Sequence, residues 1–401
     1  MALSSTETAA VEHVHAAPML DRTLAWAAVN SGTGNLAGLA KVADMLTDTF
    51  STLPGEVALV DPAPAERVTI TGVVEPIAHG RHLHLSVRPH AAVRMLFTGH
   101  MDTVYPVDHP FQSIATLADG RINGPGVADM KGGLATMLAA LEAVEDSPLS
   151  SNFGYDVLIN SDEETGSFSS AALLAELARG KVAALTYEPA LPDGSLAGAR
   201  AGTGNFSIVV RGRSAHAGRN PDDGRNAIVA AADLAVRLKT VHGPRLSVNP
   251  ARIDGGGPNN VVPDFAILRI NFRPVTAEDV TRAGIHIDSA VAIVAAKHDV
   301  QVAVHGGFNR PPKPIDAGAE RLFGLVRDVG ADLGIPVAWH PTGGVCDGNN
   351  IAACGVPVVD TMGPRGGAIH SADEFLIPES LPERAALSAV TILRLIEKGL
   401  N

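Results

Sequence analysis

The sequence predicts an α/β protein: a mainly parallel, mixed sheet covered by helices on both faces, interrupted by an inserted ferredoxin-like α+β unit. Three observations predict it. Apolar runs of strand length alternate with helical segments through residues 56–188, and the alternation resumes after residue 316. Between these stretches, residues 205–307 read in the order β-α-β-β-α-β. A chain of 401 residues also exceeds what one hydrophobic core ordinarily serves. We therefore expect a discontinuous catalytic domain at 1–200 and 312–401, and a lid or dimerisation domain at 201–311.

The elements follow in order. Residues 19–50 carry helical spacing and stop at "TLPG". Strand-like runs come next at "EVALV", "RVTITGVV", "HLHLSVR" and "VRMLFTG". "MKGGLATMLAALEAVE" is helical, "YDVLIN" a strand, "SSAALLAELARG" a helix closed by Gly180, and "VAALTYE" a strand. In the inserted unit the strands are "NFSIVVRG", "RLSVNPARIDGG", "FAILRINFRP" and "DVQVAVHGG". Its helices are "NAIVAAADLAVRLKTV" and "AEDVTRAGIHIDSAVAIVAAK". It ends at the Pro-rich join "NRPPKP", and the chain finishes on the helix "LPERAALSAVTILRLIEKGL".

Composition narrows the function. Apolar residues are 46% and charged residues 18%, as in soluble globular proteins. The net charge is −12 with no basic block, so nucleic acid and anionic membranes are poor partners, whereas acidic clusters suit cations. The two cysteines, Cys346 and Cys354, form neither a C-x-x-C motif nor a disulfide framework. The first residues lack the basic and apolar tracts of a secretory leader, and no run of about 18 apolar residues exists, so a cytoplasmic location is expected.

Three segments offer decoys. "GTGNLAG", from Gly32, follows a helix rather than a strand and lacks dinucleotide-binding spacing, so it reads as a loop. His82 and His84 share one face of a strand with Ser86, which suggests a solvated sheet face. Cys346 beside Asp347 has no basic side chain within a few residues, so it reads as buried and inert.

A different set converges. "MLFTGHMDTVYP" ends a strand on Gly99 and then places His100 and Asp102, suited to a metal ligand and its supporter. Asp129 sits in the Gly/Pro loop "INGPGVADMKGG". "SDEETGSF" sets Glu163 and Glu164 after another strand, Glu188 follows a third, and His370 lies in "GPRGGAIHSADEF". Singly, each has an ordinary explanation as a cap, a turn or a polar pair. Together they put acids and histidines after successive strands of one sheet, which chance explains poorly. Two histidines and three carboxylates (His100, Asp129, Glu164, Glu188, His370) suit two divalent ions bridged by one carboxylate. One acid of "DEE" is then left over as a general base.

These segments resemble the co-catalytic zinc peptidase family of glutamate carboxypeptidase, aminoacylase, acetylornithine deacetylase and succinyl-diaminopimelate desuccinylase. The resemblance runs from about residue 20 to the last helix, through "GHMDTVY", "GPGVADMKGG", "SDEETGS", "GRSAHAG", "NNVVP" and "IHSADEF", and is strongest to the glutamate carboxypeptidase branch. It implies that His100 and Glu188 hold one zinc, Glu164 and His370 the other, and Asp129 bridges them. Asp102 supports the centre and Glu163 is the base. A cis peptide follows the bridging aspartate, here Asp129–Met130. His216 reaches the site of a partner subunit and stabilises the oxyanion, while Arg273 and Asn260 bind substrate. Cobalt or manganese can replace zinc. The chain departs from the branch at "TGGVCDG", where "TGGGTDA" is common, which bears on substrate choice.

The implied reaction is hydrolysis of the amide or peptide bond of a small substrate with a free carboxylate, an acyl-amino acid or short peptide. Release of a C-terminal amino acid is the first reading and N-acyl-amino-acid deacylation the alternative. A thiol hydrolase using Cys346 with His370 or His340, and an inactive binding protein on the same scaffold, are the remote ones.

Overall fold

The computed structural model describes residues 2–400. Its central sheet has six strands in the order Glu56–Val60, His82–Val87, Phe153–Asn160, Val93–His100, Ala183–Thr186 and Val358–Val359. The first two pairings are antiparallel and the last three parallel. The sheet is buried on both faces, as continuous apolar strands require. Met95 and Phe97 face the core built by the helices Met19–Ala27, Leu36–Phe50, Gly133–Glu145, Ala317–Leu333 and Ser380–Lys398. Leu96 and Leu158 face the opposite side, against Ala171–Ala178 and Asp347–Ala353. Adjacent residues of one strand thus enter two different cores.

A second sheet of four antiparallel neighbours runs Leu246–Gly255, Phe265–Pro274, Thr203–Arg211 and Gln301–Arg310. Helices Ala227–Lys239 and Ala277–His298 cover one face with a core of their own, among them Ile208, Leu234, Leu268, Phe272 and Ile287. The element order is the one read from the sequence.

Several elements differ from expectation. The span 19–50 is two helices, because Asn35 caps the second by accepting from the Gly38 N–H at 3.1 Å. "RVTITGVV" is not one strand. It belongs to the hairpin Ala65–Val68 and Val74–Ile77, turned at Thr69 and at Gly72, whose φ is +74°. A further helix, Ser5–Ala16, opens the described chain. Its signal was the Ser4–Glu7 capping box, and Glu7 also binds Arg394 at 2.6 Å. The alternation of His82 and His84 held, but the solvated face did not. His82 is 1% exposed, because the Ser161 N–H (3.3 Å) covers its Nδ1, and His84 Nε2 bonds Asp156 Oδ1 at 2.8 Å. No helix among the described residues is long and apolar enough to cross a membrane.

Candidate metal centre and its pocket

The parallel strands set the geometry. His100 ends Val93–His100 and stands in register with Asn160, the last residue of Phe153–Asn160. Glu163 and Glu164 begin the short helical turn that follows Asn160, and Glu188 comes two residues after Ala183–Thr186. Carboxyl ends of neighbouring parallel strands therefore deliver His100, Glu163, Glu164 and Glu188 to one place. Asp129 arrives from the loop Val127–Gly132 before the helix Gly133–Glu145, with a cis Asp129–Met130 peptide. His370 arrives from the loop after Gly366–Gly367.

The side chains meet. Asp129 Oδ1 lies 3.1 Å from His100 Nε2, and Asp129 Oδ2 lies 3.3 Å from His370 Nε2. His370 Nε2 is also 3.2 Å from Glu164 Oε2, and His100 Nε2 is 3.7 Å from Glu188 Oε2. One aspartate thus shows its two oxygens to two half-sites. Ligand-type atoms of His100, Glu163 and Glu188 lie within 4.8 Å of one another, and so do those of His100, Asp129 and Glu164. His100 Nδ1 is 3.0 Å from the Asp102 carbonyl oxygen, and Asp102 Oδ2 accepts from Thr33 Oγ1 at 2.7 Å and the Glu164 N–H at 3.2 Å. The "GTGN" loop is therefore part of the support, through Thr33.

The electrostatics are lopsided. Burial lifts Glu163 well above the usual carboxylate range against the pull of Arg310, and Glu188 adds to the lift. Burial and the Asp129 charge push Glu164 up to about 7 despite the His370 contact. Glu188 is likewise raised by burial, against His100. Hydrogen bonds to Asp129 and Glu164 carry His370 up to about 10. Burial pulls the His100 ring down, but Asp102, Asp129 and Glu188 outweigh it. Two buried carboxylate oxygens, Asp102 Oδ1 and Glu163 Oε1, have no hydrogen-bond partner among the described residues. Crowded carboxylates, two imidazoles and orphaned oxygens fit divalent cations, which offset both the burial and the repulsion.

Several supports were not foreseen. Arg310 Nη2 donates to the Glu163 carbonyl at 2.8 Å and to Ser167 Oγ at 2.9 Å, and lies 2.7 Å from Glu163 Oε1 without the alignment of a hydrogen bond. Glu374 accepts the N–H groups of Gly126 (3.2 Å), Ala128 (3.0 Å) and Asp129 (3.1 Å), and the Tyr105 hydroxyl at 3.0 Å. Lys131 Nζ donates to Ser31 Oγ at 2.8 Å and the Met101 carbonyl at 2.6 Å, and burial brings it down to about 8. Asp162 is buried and loop-bonded. Its carboxylate accepts from Ser169 N–H (2.6 Å), Ser169 Oγ (2.8 Å) and Ser170 Oγ (2.6 Å).

The three residues expected to reach substrate lie elsewhere. His216 is exposed in the short strand Ala215–His216, paired with Val261–Val262. Its Nδ1 accepts from the N–H groups of Gly218 (3.1 Å) and Arg219 (3.2 Å), which leaves the proton on Nε2. Asn260 is exposed beside it and accepts the Ala217 N–H at 2.9 Å through its carbonyl. Arg273 Nη1 donates to the Gly343 carbonyl at 2.8 Å. None of the three lines the cavity of about 320 Å³ that holds Asp129, Glu163, Glu164, Glu188 and His370. Cys346 does line it, but burial pushes its thiol well above the usual value despite Arg200, so no thiolate nucleophile is supplied.

The sequence matches the model of Peptidase family M20/M25/M40 over residues 96–394. The chain belongs to that family. Its chemistry as an M20/M25/M40 member is metal-dependent hydrolysis of an amide bond. Among similar proteins, carboxypeptidase G2 of Pseudomonas sp. (strain RS-16) is 28% identical over 376 residues, 92% of this chain and 86% of that one. Succinyl-diaminopimelate desuccinylase of Verminephrobacter eiseniae is 26% identical over 357 residues, 83% of this chain and 86% of that one. The crystal structure of the aminopeptidase PepT from Bacillus cereus superposes with a TM-score of 0.72 at 24% identity, covering 95% of this chain and 98% of that one, which supports the fold. In this M20/M25/M40 chain, the matched span contains His100, Asp129, Glu163, Glu164, Glu188 and His370.

Proposed function

We propose that this chain hydrolyses small amide substrates with a free carboxylate, releasing a C-terminal amino acid, at a centre of two divalent ions. The observation that carries the reading is Asp129, whose two oxygens face separate His groups with a carboxylate beside each. His100 and Glu188 would hold one ion, Glu164 and His370 the other, and Asp129 both. The donor set is nitrogen and oxygen without thiolate, which suits zinc and admits cobalt or manganese. Bound ions supply the Lewis acidity that acidifies water and polarises the scissile carbonyl. Glu163 takes the proton of the attacking water and returns it to the leaving nitrogen, a task matched to a carboxyl raised by burial. Arg310 anchors the Glu163 backbone so that this side chain stays aimed at the centre. Asp102 fixes the orientation of His100.

On the same reading residues 201–311 form a lid that joins two copies of the chain in a homodimer. His216, with its proton on Nε2, would donate to the oxyanion of the other copy's site, and Arg273 and Asn260 would hold substrate polar groups. A cytoplasmic location remains our expectation. Deacylation of N-acyl amino acids at the same centre is the second reading, favoured by the likeness to a desuccinylase. The test is a panel of N-acyl amino acids and dipeptides given to metal-stripped protein with zinc, cobalt or manganese. We expect hydrolysis that returns with metal, is lost to chelators and survives thiol blockers. No turnover with any metal would sink the proposal.

A further inference from the structure

We propose that the cavity beside the metal centre contains a subsite for an anionic substrate group, a carboxylate held by Arg200. The inference rests on the amide-hydrolase reading and deepens it, because it names the substrate class: an amide whose acyl or amine part ends in a carboxylate on a short chain. The walls of the cavity are largely apolar, with Leu191, Leu196, Val345 and Ile369 among them, and Arg200 is the one arginine or lysine among the described residues that line it. Its guanidinium is 8% exposed and fixed from behind. Nε donates to Asp360 Oδ2 at 2.7 Å and Nη2 to Asp360 Oδ1 at 3.4 Å. Nη1 has no hydrogen-bond partner among the described residues. It is turned toward Gly344, another residue of the cavity wall, where an added Cβ would stand 3.5 Å away.

The charge behind this wall is unbalanced. Asp360 is shared between Arg200 and Lys313, whose Nζ lies 3.0 Å from Oδ2, so two buried cations face one carboxylate. Cys346 Sγ, 3.5 Å from Asp360, adds no charge because burial keeps its proton on. Of the carboxylates in the cavity, Asp129, Glu164 and Glu188 are the groups assigned to the divalent ions, and Glu163, the assigned base, stands against Arg310. A fixed donor with no acceptor, in an apolar cavity with surplus positive charge behind it, selects an anionic acceptor over a neutral one. The departure "GVCDG" puts Val345 and Cys346 on this wall, beside Arg200.

The experiment uses the full-length, metal-loaded protein and two matched pairs. N-acetyl-glutamate against N-acetyl-glutamine probes the amine side, and N-succinyl-leucine against N-succinamoyl-leucine the acyl side. We expect the carboxylate member of one pair to be preferred by roughly tenfold or more in kcat/KM, as a positioned charged donor provides. Arg200→Met should reduce that preference to less than about threefold. Gly344→Ala, which adds a methyl at ordinary contact distance from Nη1 and leaves the Asp360 pair untouched, should also weaken it, and it decides the matter if Arg200→Met does not fold. Equal or reversed preference in both wild-type pairs overturns the subsite, as does a preference unchanged in the folded variants. Absence of hydrolysis of all four compounds with every metal overturns the amide-hydrolase reading itself, and the subsite with it.

Discussion

Glu374→Gln isolates how the Asp129 loop is held. Four donors converge on this carboxylate: the N–H groups of Gly126, Ala128 and Asp129, and the Tyr105 hydroxyl. Glutamine keeps the shape and leaves no cavity. Its carbonyl can serve Ala128 and Asp129, but its NH2 then faces the Gly126 N–H, donor against donor. An unsatisfied buried donor costs about 1–3 kcal/mol, and loss of the charge weakens the two remaining amide bonds by about 1 kcal/mol each. The Tyr105 hydroxyl can turn to accept and is nearly neutral. Against this, burial and the Asp129 charge raise the Glu374 carboxyl, so neutralising it recovers a part of that loss. The balance is a loss of about 2–4 kcal/mol, a fall in Tm of about 2–5 °C at this chain length. A loosened Asp129 should also weaken metal binding by about 10–100-fold. The assays are thermal unfolding of the metal-free protein and zinc titration against a chelating dye. A variant within about 1 °C of wild type and with unchanged zinc affinity would refute the idea that Glu374 sets this loop.

Glu163→Gln should abolish turnover, by about 100-fold or more, while keeping two ions per chain in elemental analysis; Glu164→Gln should lose one of them. A Glu163→Gln protein with near-normal activity would remove Glu163 as the base. Stability of the metal-free protein should fall as pH rises. Glu164 stands at about 7 when folded against an ordinary 4.5, so the stability present below 4.5 is lost through that window, about 3 kcal/mol in all. Added zinc should flatten the slope, and metal-free stability that rises over the same range would contradict the assignment. Mixing and refolding inactive His216→Ala with inactive Glu163→Gln should restore about a quarter of wild-type activity if each site borrows His216 from its partner, since half the dimers then have one intact site. No recovery would place His216 outside the partner's site.

What could be read from sequence was local. His100, Glu163, Glu164 and Glu188 each follow a strand directly, so apolar run and functional group sit within a few residues and the strand-end rule finds them. Arg310 acts on Glu163 from 147 positions away, and no spacing rule connects them. Glu374 stands inside a segment singled out for His370, yet its work is to accept backbone N–H groups, which leaves no side-chain pattern. His82 shows the limit of alternation. Period two states which residues share a face, but not that the Ser161 turn covers this end of it. The hairpin at 65–77 was hidden for the converse reason, since β-branched residues run through its turn and only Gly72 marks the reversal. His216, Asn260 and Arg273 look like ordinary surface residues in one chain, and only a second copy or a bound substrate would give them work.

The row Asp162, Glu163, Glu164 shows why the centre needs cations from outside the chain. Three adjacent carboxylates survive because each meets a different answer. Asp162 is absorbed by Ser169 and Ser170, and Glu163 stands against Arg310. Glu164 meets His370 alone, and its carboxyl rises to about 7. Among the described residues no arginine or lysine forms an ion pair with Asp129, Glu164 or Glu188, although Arg200, Arg310 and Lys131 are buried close by and engaged elsewhere. Buried carboxylates left without a cation are costly, by several kcal/mol each. A fold that places basic side chains around these three acids, yet gives none of them a direct partner, stores that cost at one point. Divalent ions relieve it there, so metal binding and stability in this chain should be two readings of the same free energy.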